Sequence, residues 1–314
     1  MIDASVVICA YTIDRWDDLN AAVASVRRQV RPAHEILVVV DNNEVLLERA
    51  KHEFDGVTAI PNTKARGLCG ARMTGAELAT APVIAFLDDD AIADTHWLQE
   101  LLIPYKDDFV LGVGGHIEPL WRNPCPRWFP PEFNWVVGCT YRGMQIRDGR
   151  VRNMIGANMS VRADVLRGCG GFADPRLGRT GSANGSCEDT EFCIRAARLY
   201  GGVWVHQPNA SVRHVVTAER ATWKYFLHRC RMEGSSKAVV TDLAGARDGL
   251  KSERRYVRTL AQSIIGYVAA RDLGQAFAIC IGLAVTTAAY GRARLARARL
   301  RSMTGQYTAP FDTT

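Results

Sequence analysis

Several signatures of common protein classes are missing from this chain of 314 residues. Its nine cysteines include no Cys-x-x-Cys pair, which argues against a zinc cluster or a disulfide framework and favours reduced, mostly buried thiols. No Gly-x-Gly-x-x-Gly follows the first apolar segment, which disfavours a dinucleotide-dependent oxidoreductase. The residues before the short apolar run 6–10 carry no basic side chain, so we expect no secretory signal.

Acidic residues are missing from one basic segment near the carboxyl end. Five arginines lie between Gly291 and Arg301 without an acid among them, whereas the formal net charge of the whole chain is only +6. The remainder is nearly balanced, so nucleic acid is not an expected partner. With 47% hydrophobic residues the chain can bury a substantial core, which excludes disorder as its main state.

Strand-like and helix-like segments alternate through the first ninety residues. The runs 5–10, 35–40, 57–60 and 83–87 are rich in aliphatic and β-branched side chains, as buried strands are. Between them, Leu19, Val23 and Val26 have the spacing of one helix face, and 71–80 favours a second helix. This order predicts an α/β fold with a largely parallel sheet flanked by helices.

Two of these runs end in carboxylates. Asp41 follows the second run, and Asp88-Asp89-Asp90 follows the fourth. Ligands of open α/β sheets bind at the carboxyl ends of the strands, and Asp88 and Asp90, two residues apart, can face the same way. Carboxylates in this position suit Mg²⁺ or Mn²⁺ bound together with phosphate. A solvated acidic turn or a helix cap is the alternative for this motif alone.

The middle of the chain predicts shorter elements. We expect helices at 97–102 and 188–199 and strands at 109–115, 154–162, 202–205 and 210–216. Five prolines between 119 and 135 argue against regular structure there. Trp121 and Trp135 in this segment belong either to a rigid packed loop or to a wall of an acceptor pocket.

The last hundred residues predict helices at 223–231 and 251–260, and an apolar run at 277–290. That run is about fifteen residues, short of the roughly twenty that span a bilayer. With the arginines beside it, an interfacial helix on an anionic membrane is expected, and a packed or dimer-forming helix is the alternative. We divide the chain into a catalytic domain at 1–218, a helical extension at 219–303 and a disordered tail at 304–314.

The motifs, taken in order over about residues 4–216, resemble those of the family 2 glycosyltransferases, inverting enzymes with the GT-A fold. The residues that carry the resemblance are Val7-Ile8-Cys9-Ala10-Tyr11, Val39-Val40-Asp41-Asn42, Arg66-Gly67-Leu68-Cys69-Gly70-Ala71-Arg72, Phe86-Leu87-Asp88-Asp89-Asp90, Gly156-Ala157-Asn158-Met159, Gly170-Gly171-Phe172, Glu188-Asp189 and His214. The implied fold is a Rossmann-like, mostly parallel sheet flanked by helices, with a helical carboxyl-terminal extension.

The resemblance implies a donor-binding role for the first motifs. Ala10, Tyr11 and Asp41 would hold the nucleotide base, since an ionised Asp can accept the imide N–H of uracil. Asp41 could instead begin an Asx-turn. Further donor contacts are implied for Gly67, which lets the backbone approach the nucleotide, for Arg72 at a phosphate, for Asp88 at the ribose and for Asp89 at the sugar.

The resemblance also implies metal ligands and a base. Asp90 and Asp88, with His214, would hold the cation, although a histidine beside a strand end is often structural. Asp189, or less favourably Glu188, would deprotonate the acceptor. As a first-turn acid of a helix, Asp189 could instead only complement the helix dipole.

The remaining implied residues concern the acceptor and the leaving group. Asn158, Trp121 and Trp135 would line the acceptor or donor pocket. Arg229 and Arg231 would bind the diphosphate. For Lys237 we favour a solvated helix face.

The implied reaction moves a sugar from a nucleoside diphosphate sugar, with UDP favoured, to the hydroxyl of a glycan, a lipid-linked glycan or a small molecule. The implied location is cytoplasmic, with peripheral contact to the inner face of the cell membrane as one option. A nucleotidyltransferase is an alternative, but residues 10–14 lack its glycine-rich basic loop. A catalytically silent nucleotide-sugar-binding protein at the membrane is another, and it would tolerate the loss of Asp189.

Overall fold

The computed structural model describes residues 2–144, 149–172, 179–180, 183–184, 187–249 and 251–304. Its first half contains four strands that pair in parallel in the order β3-β2-β1-β4. These strands and the helices between them are β1 (Ala4–Ala10), α1 (Trp16–Arg27), β2 (Glu35–Val40), α2 (Glu44–Glu53), β3 (Thr58–Pro61), α3 (Leu68–Leu78) and β4 (Val83–Asp88). The parallel arrangement predicted from the alternating pattern is confirmed in this half.

Helix α2 is absent from the sequence predictions. Its start is nevertheless encoded locally, because the Asn43 side chain accepts a hydrogen bond from the Leu46 N–H at 3.0 Å and so caps the first turn. Leu46, Leu47 and Ala50 form its buried face. The helix occupies the crossover between β2 and β3, as a parallel connection requires.

The second half completes a mixed sheet. Its elements are β5 (Ala91–Ala93), α4 (Trp97–Leu102), β6 (Val110–Trp121), β7 (Gly149–Val151), β8 (Asn158–Arg162), α5 (Ala163–Gly168), β9 (Arg179–Thr180), β10 (Ala183–Asn184), α6 (Glu188–Tyr200) and β11 (Val203–Val216). The strand order is β3-β2-β1-β4-β8-β6-β11-β5, with β7 also on β11 and with β9 and β10 paired separately. Strand β8 is antiparallel to both β4 and β6.

Two strand predictions are corrected by the structure. Strand β6 continues through Pro119 to Trp121, although the prolines predicted irregular structure. Since β8 pairs only with Gly112 to Gly114, no described strand pairs with the distal part of β6 on that side, so the missing N–H of Pro119 costs no ladder bond there. The two predicted strands at 202–205 and 210–216 are one strand, β11, with an irregularity between Gln207 and Ser211.

Three carboxyl-terminal helices pack onto the sheet's own core. They are α7 (Trp223–Gly249), α8 (Lys251–Ala269) and α9 (Leu273–Thr304). Phe226 of α7 lies 5.1 Å from the ring of Phe133, and a Cβ on Gly282 of α9 would come within 2.4 Å of that ring. These helices therefore form one wall of the molecule, and the proposed boundary at 218/219 stays a prediction.

Helix α9 is longer than its apolar run indicated. The segment Leu273–Arg299, 27 residues, is long and apolar enough to cross a membrane by length and composition. The prediction that this region is too short to span is therefore wrong, because helix continues on both sides of the run 277–290. From residue 305 onward, the tail predicted to be disordered lies outside the described residues.

Candidate functional site

A cavity of about 1230 Å³ opens at the carboxyl edge of the parallel strands. The register of β1 with its neighbours aligns Cys9 with Asp88 and Ala10 with Val40, so the residues that follow these strands meet. Most of the predicted site residues line this cavity: Ala10, Tyr11, Asp41, Gly67, Arg72, Asp88, Asp89, Asp90, Trp135, Glu188, Asp189, His214 and Arg229. Trp121, Asn158 and Arg231 are not in its lining.

The Asp41 carboxylate accepts hydrogen bonds from the loop between β3 and α3. Its Oδ2 accepts a hydrogen bond from the Gly67 N–H at 2.9 Å, and its Oδ1 accepts one from Asn62 Nδ2 at 2.7 Å. Gly67 has φ 114°, a conformation that favours glycine. Because each carboxylate oxygen has a second lone pair, Asp41 keeps acceptor capacity on the cavity side.

Asp90 is the centre of a buried charge cluster. Pairing of β5 with β11 aligns Ala91 with His214, which brings His214 Nε2 to 2.9 Å from Asp90 Oδ1. Arg15 Nη1 and Arg220 Nη2 each lie 3.2 Å from Asp90 Oδ2. Burial alone would raise the pKa of Asp90, but these three cations, His214 foremost, hold it well below its usual value.

His214 shows the reciprocal effect. Burial disfavours its charged form, but the Asp90 carboxylate outweighs burial and raises the pKa of His214 to about 10. The middle acid of the triplet behaves differently: burial, followed by the charge of Asp90, raises the pKa of Asp89 to about 7. Asp89 Oδ1 accepts from Arg15 at 3.2 Å, while its Oδ2 has no hydrogen-bond partner among the residues that the structure describes.

Asp88, Asp90 and His214 fit a divalent cation. Each offers one ligand atom, and these atoms all lie within 4.8 Å of one another. Two carboxylates and one imidazole, with room for water and phosphate in the adjoining cavity, are a donor set that Mn²⁺ or Mg²⁺ accepts. Because a metal ligand must be the neutral imidazole, cation binding would release the proton that His214 holds.

Arg72 lies between two acids of the site, Asp88 at the end of β4 and Glu188 at the start of α6. It is only 2% exposed, and its Nη2 lies 3.3 Å from Asp88 Oδ1 and 3.0 Å from the Gly156 carbonyl. Its Nη1 lies 3.6 Å from Glu188 Oε1 and makes no hydrogen bond within the described part of the chain. The guanidinium therefore lies between the Asp88 and Glu188 carboxylates.

Asp189 lies on a different element from the cation cluster. In the first turn of α6, its Oδ1 accepts from the Thr190 N–H at 2.7 Å and its Oδ2 accepts from the Gly156 N–H at 3.1 Å. Burial, with the neighbouring charge of Glu188, raises the pKa of Asp189 to about 6. It is thus a carboxylate at neutral pH, with a proton affinity higher than that of an ordinary Asp.

Three residues predicted for the site lie outside the cavity lining: Asn158 and Trp121, predicted for the pocket, and Arg231, predicted for the diphosphate. Asn158 is 1% exposed, and its amide joins β8 to the core, donating to the carbonyls of His116 at 3.0 Å and Ala210 at 2.9 Å and accepting from Trp97 at 2.8 Å. Trp121 packs edge-on against Phe129, with ring centroids 5.2 Å apart. Arg231 is on the exposed face of α7.

Arg229, two positions before Arg231, lies on the opposite face of α7. It is 8% exposed and lines the cavity. Its Nε has no hydrogen-bond partner, and no carboxylate lies within ion-pair distance of it, among the residues that the structure describes. A buried guanidinium without a counter-anion is costly, so this is a place where an anionic ligand would be stabilised.

Lys237 also differs from its prediction. It is not on a solvated face: its Nζ lies 2.6 Å from Glu253 Oε1 and 3.0 Å from Glu233 Oε1, in the cavity wall. Trp135 lines the same cavity and donates from Nε1 to the Tyr256 hydroxyl at 2.9 Å.

Sequence reasoning missed Arg15 and Arg220. Two buried acids, Asp89 and Asp90, require neighbouring cations, and Arg15 lies in the loop after β1, at the same sheet edge. That signal was available in the sequence. Arg220 follows β11 in no recognisable motif, and only the fold brings it to Asp90.

Comparisons with known proteins agree with this geometry. The sequence profile of glycosyl transferase family 2 matches residues 5–170. A glucosyl-dolichyl phosphate glucuronosyltransferase of Haloferax volcanii is 34% identical over 240 residues, which cover 75% of this chain and 76% of that protein. A polypeptide N-acetylgalactosaminyltransferase 11 of Xenopus tropicalis is 37% identical over 116 residues, 33% of this chain and only 19% of that protein.

The fold also has a solved counterpart. A crystal structure of GalNAc-T7 with UDP, GalNAc and Mn²⁺ superposes with a TM-score of 0.54 at 18% identity, covering 85% of this chain and 58% of that one. At this identity the likeness concerns the fold, which is the GT-A arrangement of a mixed sheet between helices. On the profile match and the Haloferax relative, the chain belongs to glycosyl transferase family 2 and is a glycosyltransferase.

Proposed function

We propose that this glycosyltransferase is inverting and metal-dependent, and that it transfers a sugar from a UDP-sugar to an acceptor hydroxyl. The observation that carries the proposal is the separation of two acidic centres in one cavity. Asp88 and Asp90 belong to a candidate cation site with His214, whereas Asp189 lies on α6 and is outside that cluster. A carboxylate free of the cation is what a general base requires.

Donor recognition is assigned to the edge formed by β1 and β2. Tyr11 is 54% exposed beside the Arg15 guanidinium, and Asp41 offers an acceptor for the imide N–H of uracil. Support comes from the GalNAc-T7 structure, which contains UDP and Mn²⁺ in a chain of the same fold. Asp88, Asp90 and His214 would hold Mn²⁺ or Mg²⁺, which supplies Lewis-acid stabilisation of the leaving diphosphate when bound.

Protein cations complement the diphosphate. Arg229 provides a buried positive charge in the cavity, and the residues that the structure describes offer it no carboxylate partner. Positive charge fixed in a partly dry site stabilises negative charge that develops on the leaving group. We do not assign this role to Arg231, because it is exposed on the outer face of α7.

Asp189 acts on the acceptor. As the acceptor oxygen forms its bond to the anomeric carbon, the bond from that carbon to the diphosphate oxygen breaks, and the acceptor proton passes to a carboxylate oxygen of Asp189. Attack from the face opposite the leaving group inverts the anomeric configuration. With its pKa near 6, Asp189 is ionised at neutral pH yet is a stronger base than an ordinary Asp.

The acceptor is proposed to be carried on a membrane lipid. Helix α9 has no charged residue from Leu273 to Gly291, and Leu273 and Phe277 on its outer side are 63% and 58% exposed. The Haloferax relative is named for an acceptor on dolichyl phosphate. Peripheral binding at the cytoplasmic face of the membrane would bring the cavity to such a lipid.

Calorimetric titration with UDP, GDP and dTDP, each with Mn²⁺ and with EDTA, tests the donor assignment. We expect Mn²⁺-dependent binding of UDP by the unaltered protein and by Asp189→Asn, and loss of that binding in Asp90→Asn. The matched control is Asp108→Asn, since the Asp108 side chain is fully exposed. Binding of UDP that is equal in Mn²⁺ and EDTA, or in Asp90→Asn, would contradict the cation site.

A further inference from the structure

Four charged side chains form a linked cluster in the cavity wall. Lys237 on α7 contacts Glu253 on α8 and Glu233 on α7, at 2.6 and 3.0 Å. Arg152, just after β7, holds Glu253 with two bonds, Nη1 to Oε2 at 3.0 Å and Nη2 to Oε1 at 3.3 Å. All four side chains line the cavity and are at most 20% exposed.

The net charge of the cluster is zero, and its members Lys237 and Glu253 remain ionised. Burial alone would lower the pKa of Lys237, but the charges of Glu233 and Glu253 outweigh burial and raise it. Burial alone would raise the pKa of Glu253, but the charges of Lys237 and Arg152 outweigh burial and lower it. Two cations balance two anions, so the cluster offers no net charge to a phosphate. Since buried ion pairs add little stability over apolar packing, the useful property of this wall is its set of fixed donors and acceptors.

An aromatic side chain lies beside the cluster. The Tyr141 ring packs edge-on against Tyr256 at 5.3 Å, and Tyr256 in turn accepts the hydrogen bond of Trp135. Tyr256 lies three residues after Glu253 on the same face of α8, so the Tyr141 ring adjoins the cluster. Burial raises the pKa of Tyr141. Within the described residues, the Tyr141 hydroxyl has no hydrogen-bond partner, which leaves it available to a ligand.

The cluster also adjoins the base. Cys187, two residues before Asp189, donates from Sγ to Glu233 Oε1 at 3.5 Å, and Glu233 and Asp189 line the same cavity. A ligand that contacts the cluster therefore lies within reach of Asp189. Such a ligand needs several groups that both donate and accept hydrogen bonds, no net charge, and an apolar face for an aromatic ring.

Building on the proposed function, we infer that the acceptor hydroxyl belongs to a sugar unit, and that Tyr141 and the ion-pair cluster Arg152, Glu233, Lys237 and Glu253 form its binding subsite beside Asp189. Sugar hydroxyls match the alternating donors and acceptors of the cluster, and the C–H face of a pyranose matches the ring of Tyr141. A lipid phosphate as the attacking group would instead need unpaired cations at this position.

The test compares two kinds of acceptor, each with Mn²⁺ and with UDP-glucose, UDP-galactose, UDP-N-acetylglucosamine and UDP-glucuronate in turn. A panel of octyl glucoside, galactoside and mannoside offers uncharged sugar hydroxyls, and farnesyl monophosphate offers a lipid phosphate. We expect transfer to at least one glycoside. Transfer to farnesyl monophosphate alone, or to no glycoside while UDP binds normally, would overturn the inference.

The variant Tyr141→Phe tests the subsite itself. It removes one hydroxyl that has no internal partner, so we expect unchanged thermal unfolding, unchanged UDP affinity and kcat, and a KM for the glycoside raised roughly 2- to 12-fold. The matched control is Tyr200→Phe, on the surface at 44% exposure. An unchanged KM would overturn the subsite, whereas absence of UDP binding by the unaltered protein would overturn the proposed function and this inference with it.

Discussion

Replacing Arg229 by Met should stabilise the free protein and weaken donor binding at the same time. The side chain is 8% exposed, its Nε has no hydrogen-bond partner, and no carboxylate within the described residues pairs with it. Met has a similar length and is apolar, so it fills most of the space of the buried Arg stem. The substitution therefore isolates the charge.

The two effects have opposite signs and separable sizes. Removing a buried polar group that lacks a partner should raise the free energy of unfolding by about 1–3 kcal/mol, which raises Tm by a few degrees. A hydrogen bond between a guanidinium and a phosphate is worth about 1.5–3 kcal/mol, so UDP affinity should fall roughly 10- to 150-fold.

Thermal unfolding without ligand and calorimetric titration with UDP and Mn²⁺ measure the two quantities. Arg231→Met is the matched control, because Arg231 lies on the exposed face of the same helix, and we expect it to change neither quantity appreciably. A variant Arg229→Met that is less stable than the unaltered protein, yet binds UDP equally well, would refute the reasoning and make Arg229 a structural residue.

Asp189, Asp90 and Asp41 each give a further prediction. Because Asp189 acts as a base only when ionised, kcat/KM should fall about tenfold per pH unit below its pKa near 6, and a pH profile that is flat between 5 and 7 would contradict this role. Asp90→Asn should lower the free energy of unfolding, measured in urea, by about 3–5 kcal/mol, because it leaves Arg15, Arg220 and His214 without their shared carboxylate. An unchanged free energy of unfolding would contradict the importance of this charge cluster. Asp41→Asn replaces one acceptor oxygen with an amide donor and should weaken UDP binding about tenfold or more. Equal UDP affinity in both proteins would remove Asp41 from base recognition.

The position of the acids at the carboxyl edge of the sheet was predictable, because it follows from local sequence patterns. Runs of buried aliphatic residues that end in acids place Asp41 and Asp88 at one edge as soon as the strands are parallel, and the observed register of β1 with β2 and β4 agrees. His214 was predicted only through the family resemblance. Its position depends on the pairing of β5 with β11, which no local pattern encodes.

Other features could not be read from the sequence for physical reasons. Asn158 belongs to a recognised motif, yet its amide is consumed by three core partners, which only the packing of β6, β8 and β11 determines. Lys237 looked like a surface residue because its partners Glu253 and Arg152 are distant in the chain. The extent of α9 was underestimated because charged and polar residues continue a helix beyond an apolar run.

The central claim is that a cation-bound UDP-sugar reacts with an acceptor hydroxyl deprotonated by Asp189. The most direct measurement is NMR-monitored transfer from UDP-sugars to the octyl glycosides with Mn²⁺, comparing the unaltered protein with Asp189→Asn after UDP binding to both has been verified. The account predicts a product of inverted anomeric configuration from the unaltered protein and no detectable product from Asp189→Asn. Retention of configuration, or equal turnover by Asp189→Asn, would contradict it.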